Sequence, residues 1–267
     1  MIALEALKPV GMVPSAIERL EQIKARLGGR PAIFLDYDGT LTRIVDDPSK
    51  ARIPQSTRTA IRSLLRDSPV AIVSGRSAID VRDLVGLSGV VYAGSHGQEI
   101  SFPNDTRFEY KESVESLGAL DKAERLLTEG LSGLEGIRVE RKPFAIAVHT
   151  RLAGSESARV QAGEMAYDVA SNLLLAVGTG KEVHELRPDV DWHKGRAIEY
   201  MLGNFEGCVP LFIGDDETDE DGFASVVARG GVAVIVSDDD HRMTLADFKL
   251  KDPYATTTFL GRLKTHD

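Results

Sequence analysis

Two aspartates one residue apart, Asp36 and Asp38, follow the apolar run Ala32-Ile33-Phe34-Leu35 and lead into Gly39-Thr40-Leu41. A carboxylate can attack phosphorus and carry the phosphoryl group as an aspartyl-phosphate. A second carboxyl beside it can act as acid toward the leaving group and then as base toward water. Two anions facing an anionic substrate repel, so this chemistry calls for a divalent cation. Mg²⁺ suits, because it takes oxygen ligands and tolerates a phosphate among them. The apolar run reads as a buried central strand of a parallel sheet, and ligands of open α/β sheets sit beyond the carboxyl ends of the strands. Alternate side chains of an extended segment point the same way, so Asp36 and Asp38 can address one target. A bare pair of this kind is often an acidic turn; the strand before it and the Gly-Thr-Leu after it set this one apart.

Three further stretches carry groups of the same chemistry. Val70-Ala71-Ile72-Val73 reads as a second buried strand and ends in Ser74-Gly75-Arg76, a hydroxyl and a guanidinium suited to phosphate oxygens. Trp192-His193-Lys194-Gly195 opens a helix; a lysine there opposes the helix dipole but favours a bound anion. Val209 to Ile213 reads as a strand and runs into Gly214-Asp215-Asp216-Glu217-Thr218-Asp219. So many acids beside a buried strand are costly unless paired or metal-bound. The loop Gly94-Ser95-His96-Gly97 follows a third strand, and His96 reads equally as a loop residue or a substrate contact.

The elements that must hold these groups are legible from periodicity. Helices are expected over 15–27, with Ser15 as N-cap, over 54–66, from Ser77 or Asp80 with Ile79, Val81, Leu84 and Val85 inward, and over 254–263. Residues 42–53 read as a polar flap. From about Phe102 the pattern changes to a helix over 113–131, alternating strands over 136–141 and 144–150, a helix over 155–172, and strands over 173–177 and 181–186 joined by Gly178-Thr179-Gly180. This αββαββ segment, 103–187, is expected to be an inserted cap domain within an α/β core formed by 1–102 and 188–267.

The 267 residues can hold one large or two modest domains, and 42% hydrophobic with 27% charged residues is ordinary for a globular protein. A net charge of −9 argues against nucleic acid or anionic membrane as partner. The single Cys208 excludes an internal disulfide and a multi-cysteine metal site. With no signal peptide and no apolar stretch of membrane-spanning length, the expectation is a cytoplasmic monomer acting on a small molecule.

Taken in order, these motifs resemble the four of the haloacid dehalogenase-like (HAD) phosphatases. The resemblance implies a Rossmann-like core with a parallel sheet and a C2-type cap, Asp36 as nucleophile, Asp38 as acid/base, Ser74 as phosphate ligand and Lys194 as holder of both. It further implies Mg²⁺ on Asp36, the main-chain carbonyl of Asp38 and Asp215, with Asp216 and Asp219 ligating or orienting. Dehalogenases of this superfamily lack the second aspartate and its P-type ATPases carry Thr there, so Asp38 favours a phosphatase or phosphomutase.

In the cap segment, Glu140 and Lys142, His149 and Arg151, and Lys181 and Glu185 form pairs along strands. Such charges can grip sugar hydroxyls or can bridge one another on a solvated sheet face, which physics alone favours. Gly-Ser-His-Gly-x-Glu, Glu-x-Lys with Ala-Val-His-x-Arg, Gly-Lys-x-Val-x-Glu-x-Arg-Pro and Gly-Asp-Asp-x-Thr-Asp-Glu together resemble the trehalose-6-phosphate phosphatase family. That resemblance implies hydrolysis of trehalose 6-phosphate, with Glu140, Lys142 and Glu185 on the glucose ring remote from the phosphate. Gly75, Arg76, His96, Arg151 and Lys181 complete the expected substrate contacts. His193 and Thr150 depart from the family pattern. Another sugar phosphate, such as sucrose or glucosylglycerol phosphate, and a non-catalytic sugar-phosphate sensor stay open.

Overall fold

The computed structural model describes residues 7–263 apart from 46 and 181. Its larger sheet runs in the order Phe248–Leu250, Val232–Val236, Val209–Gly214, Pro31–Leu35, Val70–Val73, Val91–Gly94, Glu99–Ser101, Arg107–Glu109. The first six strands are parallel, and Glu99–Ser101 joins antiparallel. Every residue of Pro31–Leu35 is buried. Ile33 and Leu35 pack into a core on one face of the sheet, and Ala32 and Phe34 into a core on the other. This is why the strand reads as a continuous apolar run rather than an alternation.

Pro31–Leu35 lies between Val70–Val73 and Val209–Gly214, which reach it from opposite directions along the chain. That is the switch point at which a doubly wound sheet opens a crevice. Leu35 pairs with Ile72 on one side and Ile213 on the other, so Asp36, Ser74 and Asp215 emerge side by side.

The chain divides into two compact units, residues 1–108 with 192–267 and residues 109–191. These limits differ from the expected 103 and 187 for two reasons. Glu99–Ser101 and Arg107–Glu109 extend the core sheet, and Pro188 still pairs with Leu175 in the smaller one. Within the first unit, Phe108 lies against Trp192 with ring centroids 5.4 Å apart, and Phe108 stacks on Tyr200 at 4.1 Å.

The second unit has an antiparallel sheet in the order Arg138–Lys142, Ala145–His149, Val183–Pro188, Leu175–Gly180, with helices Leu117–Leu131 and Glu156–Asn172. Ile146, Val148, Leu175 and Leu186 join Leu120, Leu127, Ala162 and Ala166 of the helices in one core.

Several expected boundaries move. The first helix begins at Leu20, not Ser15, because Ser15 and Ala16 are drawn into pairing with Lys249. Gly178-Thr179-Gly180 does not form the turn of the last hairpin but belongs to the strand Leu175–Gly180, because Gly178 pairs with Glu185 and Gly180 with Val183. Ile79 faces outward, at 56% exposure, while Val81, Leu84 and Val85 are buried. Among the described residues no helix is long and apolar enough to cross a membrane.

The close approach of strand to helix is tested at Gly94, where a Cβ would lie 2.1 Å from the Ala78 amide nitrogen. Gly94→Ala should cost about 1–3 kcal/mol, the usual range for overpacking. Gly29→Ala, with nothing within 4 Å, is the control. Thermal unfolding should show a lowered midpoint for the first and little change for the second; equal midpoints would show that the approach is not constrained.

Candidate active site

At the end of the central strand the Asp36 amide donates to the Ile213 carbonyl at 2.9 Å, extending the sheet by one residue. The Lys194 ammonium donates to Asp36 Oδ1 at 2.7 Å and to Asp219 Oδ1 at 2.6 Å. All three side chains are nearly excluded from solvent, at 3%, 7% and 0% exposure. Lys194 is the first residue of helix Lys194–Leu202, so the fold aims it, with the helix amino end, at Asp36. Burial opposes its charge, but Asp219 and Asp36 outweigh burial and raise its pKa. Burial pushes the Asp36 carboxyl well above the ordinary range; Lys194 pulls it back, while Asp219 and Asp215 push it further up.

Asp215 is pushed up to about 6, first by burial and then by Asp219, against the bond that Thr40 Oγ1 donates to its Oδ1 at 2.9 Å. Gly39, at φ +83°, makes this crowding possible: a Cβ there would stand 1.9 Å from Asp215 Oδ2. Asp219 spends both oxygens within the protein, Oδ1 on Lys194 and Oδ2 on the amides of Asp215 and Asp216, each at 2.9 Å. Asp216 is exposed, and its carboxylate accepts from the Glu217 amide at 2.5 Å as a turn cap.

Asp38 faces Arg76, whose Nε and Nη2 donate to its two oxygens at 2.6 and 2.7 Å. The guanidinium lies 5.4 Å from the centroid of the Tyr37 ring, and the buried Tyr37 hydroxyl donates to the Ala51 carbonyl. Ser74 is 1% exposed and its Oγ accepts from the Arg76 amide at 3.1 Å. The next loop is strapped to this one: the Ser95 amide donates to Arg76 O at 2.7 Å and the His96 amide to Ser74 O at 2.9 Å. Ser95 and His96 both adopt left-handed backbone, at φ +51° and +57°. The His96 ring then covers Gly75, where a Cβ would lie 2.9 Å from its Cε1.

The structure thus brings Asp36, Asp38, Ser74, Gly75, Arg76, His96, Lys194, Asp215 and Asp219 to one end of the core sheet. Thr40, Glu99 and Trp192 stand within the motifs quoted from the sequence without a role assigned to them, Tyr37 was given none either, and all four support the same loops. Glu99 Oε1 accepts from Ser95 Oγ and the Ala78 amide, both at 3.1 Å, and Trp192 Nε1 donates to Gly97 O at 2.8 Å. The Thr after Asp-Gly and the Glu of Gly-Ser-His-Gly-x-Glu were available signals; what each of the four bonds to needed the fold.

In the second unit the expected residues fall on the sheet face turned away from the helices. Val139 packs into the helix-side core and Arg141 reaches Asp121 of the helix at 3.1 Å, so Glu140 and Lys142 lie opposite. Lys142 Nζ donates to Glu185 Oε1 at 2.5 Å. Arg151 lies beyond the strand end and its Nε donates to Glu182 at 3.2 Å. Lys181 lies outside the described residues.

The trehalose-phosphatase family model matches residues 34–254. The chain belongs to that family. A trehalose-phosphate phosphatase of Mycobacterium marinum is 39% identical over 94% of the chain, which spans 66% of that relative's length. Among solved structures, the Aspergillus fumigatus trehalose-6-phosphate phosphatase is 26% identical with a TM-score of 0.65, covering 94% of this chain and 98% of that one. The C-terminal domain of the C. albicans trehalose-6-phosphate phosphatase aligns at a TM-score of 0.77 over 94% and 97%, at 22% identity.

The acidic group of this trehalose-phosphatase family member fits a divalent cation. Asp36, Asp215 and Asp219 bring carboxylate oxygens within 4.8 Å of one another. With Lys194 their formal charge sums to −2. The raised pKa values at Asp36 and Asp215 are the mark of buried carboxylates lacking positive charge, and an all-oxygen donor set suits a hard cation.

Because the folded state holds the Asp215 proton more tightly than the unfolded chain, this group stabilises fully below pH 3.8, and that contribution is lost as pH rises through about 6. Asp215→Asn should therefore unfold at or above the parent's temperature in chelator at pH 7.5, and should lose the rise in midpoint expected of the parent when a divalent cation such as Mg²⁺ is added. A variant that is less stable in chelator, or that keeps the full Mg²⁺ response, would remove Asp215 from the cation group.

Proposed function

We propose that the chain is a Mg²⁺-dependent phosphatase that hydrolyses trehalose 6-phosphate to trehalose and phosphate through an aspartyl-phosphate on Asp36. The observation that carries the proposal is the buried bond from Lys194 to Asp36, with the Asp38–Arg76 pair two residues on. A sensor needs to bind phosphate but has no use for a second carboxyl held beside the first.

Asp36 attacks phosphorus in line and the bond to the sugar oxygen breaks. Lys194, the Ser74 hydroxyl and the loop amides receive the charge on the phosphoryl oxygens. Asp38 gives its proton to the departing sugar oxygen, then takes one from the water that cleaves the acyl-phosphate. For this the dianionic phosphate competes with Asp38 for Arg76, which frees Asp38 toward the leaving group. Asp36, Asp215 and the Asp38 carbonyl would hold Mg²⁺, which would supply charge neutralisation and orientation. Asp219, with both oxygens already bonded, orients Lys194 and the Asp215 loop.

The second unit supplies the substrate preference in this reading. Glu140 and Glu185 both pair with Ala147 in the register, so they stand in one row across the strands. Ala145, Ala147 and Gly178 lie on the same face, a floor of small residues between charged walls. Such a face accepts a pyranose ring, with C–H groups over the floor and hydroxyls on the walls. The net charge of −9 suits a small-molecule partner better than nucleic acid or an anionic membrane; with it we propose a cytoplasmic monomer.

Asp36→Asn should fold like the parent and show background phosphate release, since a carboxamide cannot form the acyl-phosphate. Excess EDTA should abolish activity and Mg²⁺ restore it; steady turnover in either arm would refute the mechanism. The substrate is tested separately. Glu140→Ala and Glu185→Ala should each lose about ten- to a hundred-fold in kcat/KM on trehalose 6-phosphate, corresponding to roughly 1.5–3 kcal/mol for a hydrogen bond to a charged group. Neither should lose much on an aryl phosphate. Equal losses on both substrates would leave these residues as scaffolding of the sheet.

A further inference from the structure

Glu140 is held by two partners, and both bind the same oxygen. Arg138 Nη2 donates to Oε2 at 2.8 Å and His149 Nε2 donates to Oε2 at 2.7 Å. Neither recorded bond uses Oε1. The geometry points to His149 as a positioning residue for substrate recognition: it fixes Glu140 Oε2 so that Oε1 is presented to a hydroxyl of the distal sugar. The inference deepens the disaccharide reading above and rests on it.

The backbone makes this arrangement specific. Glu140 pairs with Ala147 and Arg138 with His149 on the neighbouring antiparallel strand, so His149 is the diagonal neighbour of Glu140 on the same face. Ala147 has no side chain that could come between them. His149 is 34% exposed and Glu140 41%, so their bond contributes little to folding. Its effect is on direction. A glutamate with three side-chain torsions, ordered before the sugar arrives, loses less conformational freedom on binding. Arg138 is 70% exposed on a long, mobile stem, whereas His149 has two torsions and a short reach, which makes His149 the better anchor. The Lys142–Glu185 bond orients the opposite wall in the same way, so the two acids of the row are each held by a cation before substrate binds.

The test compares His149→Ala, His149→Gln, Glu140→Ala and the Glu140→Ala/His149→Ala double variant on trehalose 6-phosphate and on 4-nitrophenyl phosphate, with thermal unfolding of each. His149→Ala should lose about tenfold in kcat/KM on trehalose 6-phosphate and stay near the parent on the aryl phosphate. Gln places an N–H donor at similar reach, so His149→Gln should recover most of the loss. The double variant should be no worse than Glu140→Ala alone, because His149 acts only through Glu140. Equal losses on both substrates, additive losses in the double variant, or failure of Gln to rescue would overturn the inference. If Glu140→Ala is selective and His149→Ala is not, the positioning role alone falls; if Glu140→Ala is itself without effect, the disaccharide reading falls with it.

Discussion

One ammonium group organises the reactive end of the core. Lys194 Nζ sits between Asp36 and Asp219, residues far from it and from each other in the chain, and the three are nearly excluded from solvent. A buried ion group of this kind adds little net stability over an apolar replacement, yet losing one member leaves the others stranded at a cost of about 3–5 kcal/mol. Its contribution is therefore registry: the central strand, the acidic loop and the helix Lys194–Leu202 can each adopt only the placement that satisfies the lysine. The three acids still outnumber the one cation, and the residual negative charge is what makes the same group receptive to a divalent metal.

Main-chain constraints do the remaining placement. Side-chain atoms of Asp215 fill the space where a Gly39 Cβ would be, and Asp219 does the same at Gly214. The Ser95-His96 segment is bonded amide to carbonyl onto Ser74 and Arg76, with two residues held in left-handed backbone. Left-handed backbone in residues other than glycine persists only where surrounding contacts over-determine it, and it concentrates at functional sites. Here those contacts include the Ser95–Glu99 and Trp192–Gly97 bonds.

The second unit obeys a different rule. Its helices and the inner strand residues make a closed apolar core on one side of the sheet. The other face carries a paired array of Arg138, Glu140, His149, Lys142 and Glu185. The cross-strand bridging that physics alone favoured is present, and it is compatible with sugar recognition: acids already held by cations are ordered acceptors rather than mobile ones. In the proposed reading the reacting groups belong to the core unit and the sugar contacts to the inserted one, so the two sets of residues can be tested by different substrates.

Although it did not show the outer strands Glu99–Ser101, Arg107–Glu109 and Phe248–Leu250, the sequence by itself determined the five buried parallel strands from Pro31–Leu35 to Val232–Val236, the loops that carry the reactive groups and the identity of those groups. Those features are local: a doubly buried strand is an unbroken apolar run, and Asp36, Ser74, Lys194 and Asp215 each follow or open an element recognisable from its own neighbours. The αββαββ order of residues 109–191 was legible for the same reason, from periods of 2 and 3.6. What only the tertiary structure decided is long-range pairing. Nothing near Asp219 says that it will bind Lys194, nothing near Asp38 says that it will face Arg76, and nothing near Gly178 says that it will pair with Glu185 and so lie within a strand. Ser15 likewise reads as opening a helix, and its Oγ does accept from the Glu18 amide at 3.4 Å, but Lys249 pairs with the backbone beside it and the helix begins only at Leu20. Local propensities amount to tenths of a kilocalorie per residue, whereas a buried carboxylate or an unpaired strand edge must find a partner wherever the fold supplies one. For that reason the sequence specified the reactive groups and the fold decided which of them touch.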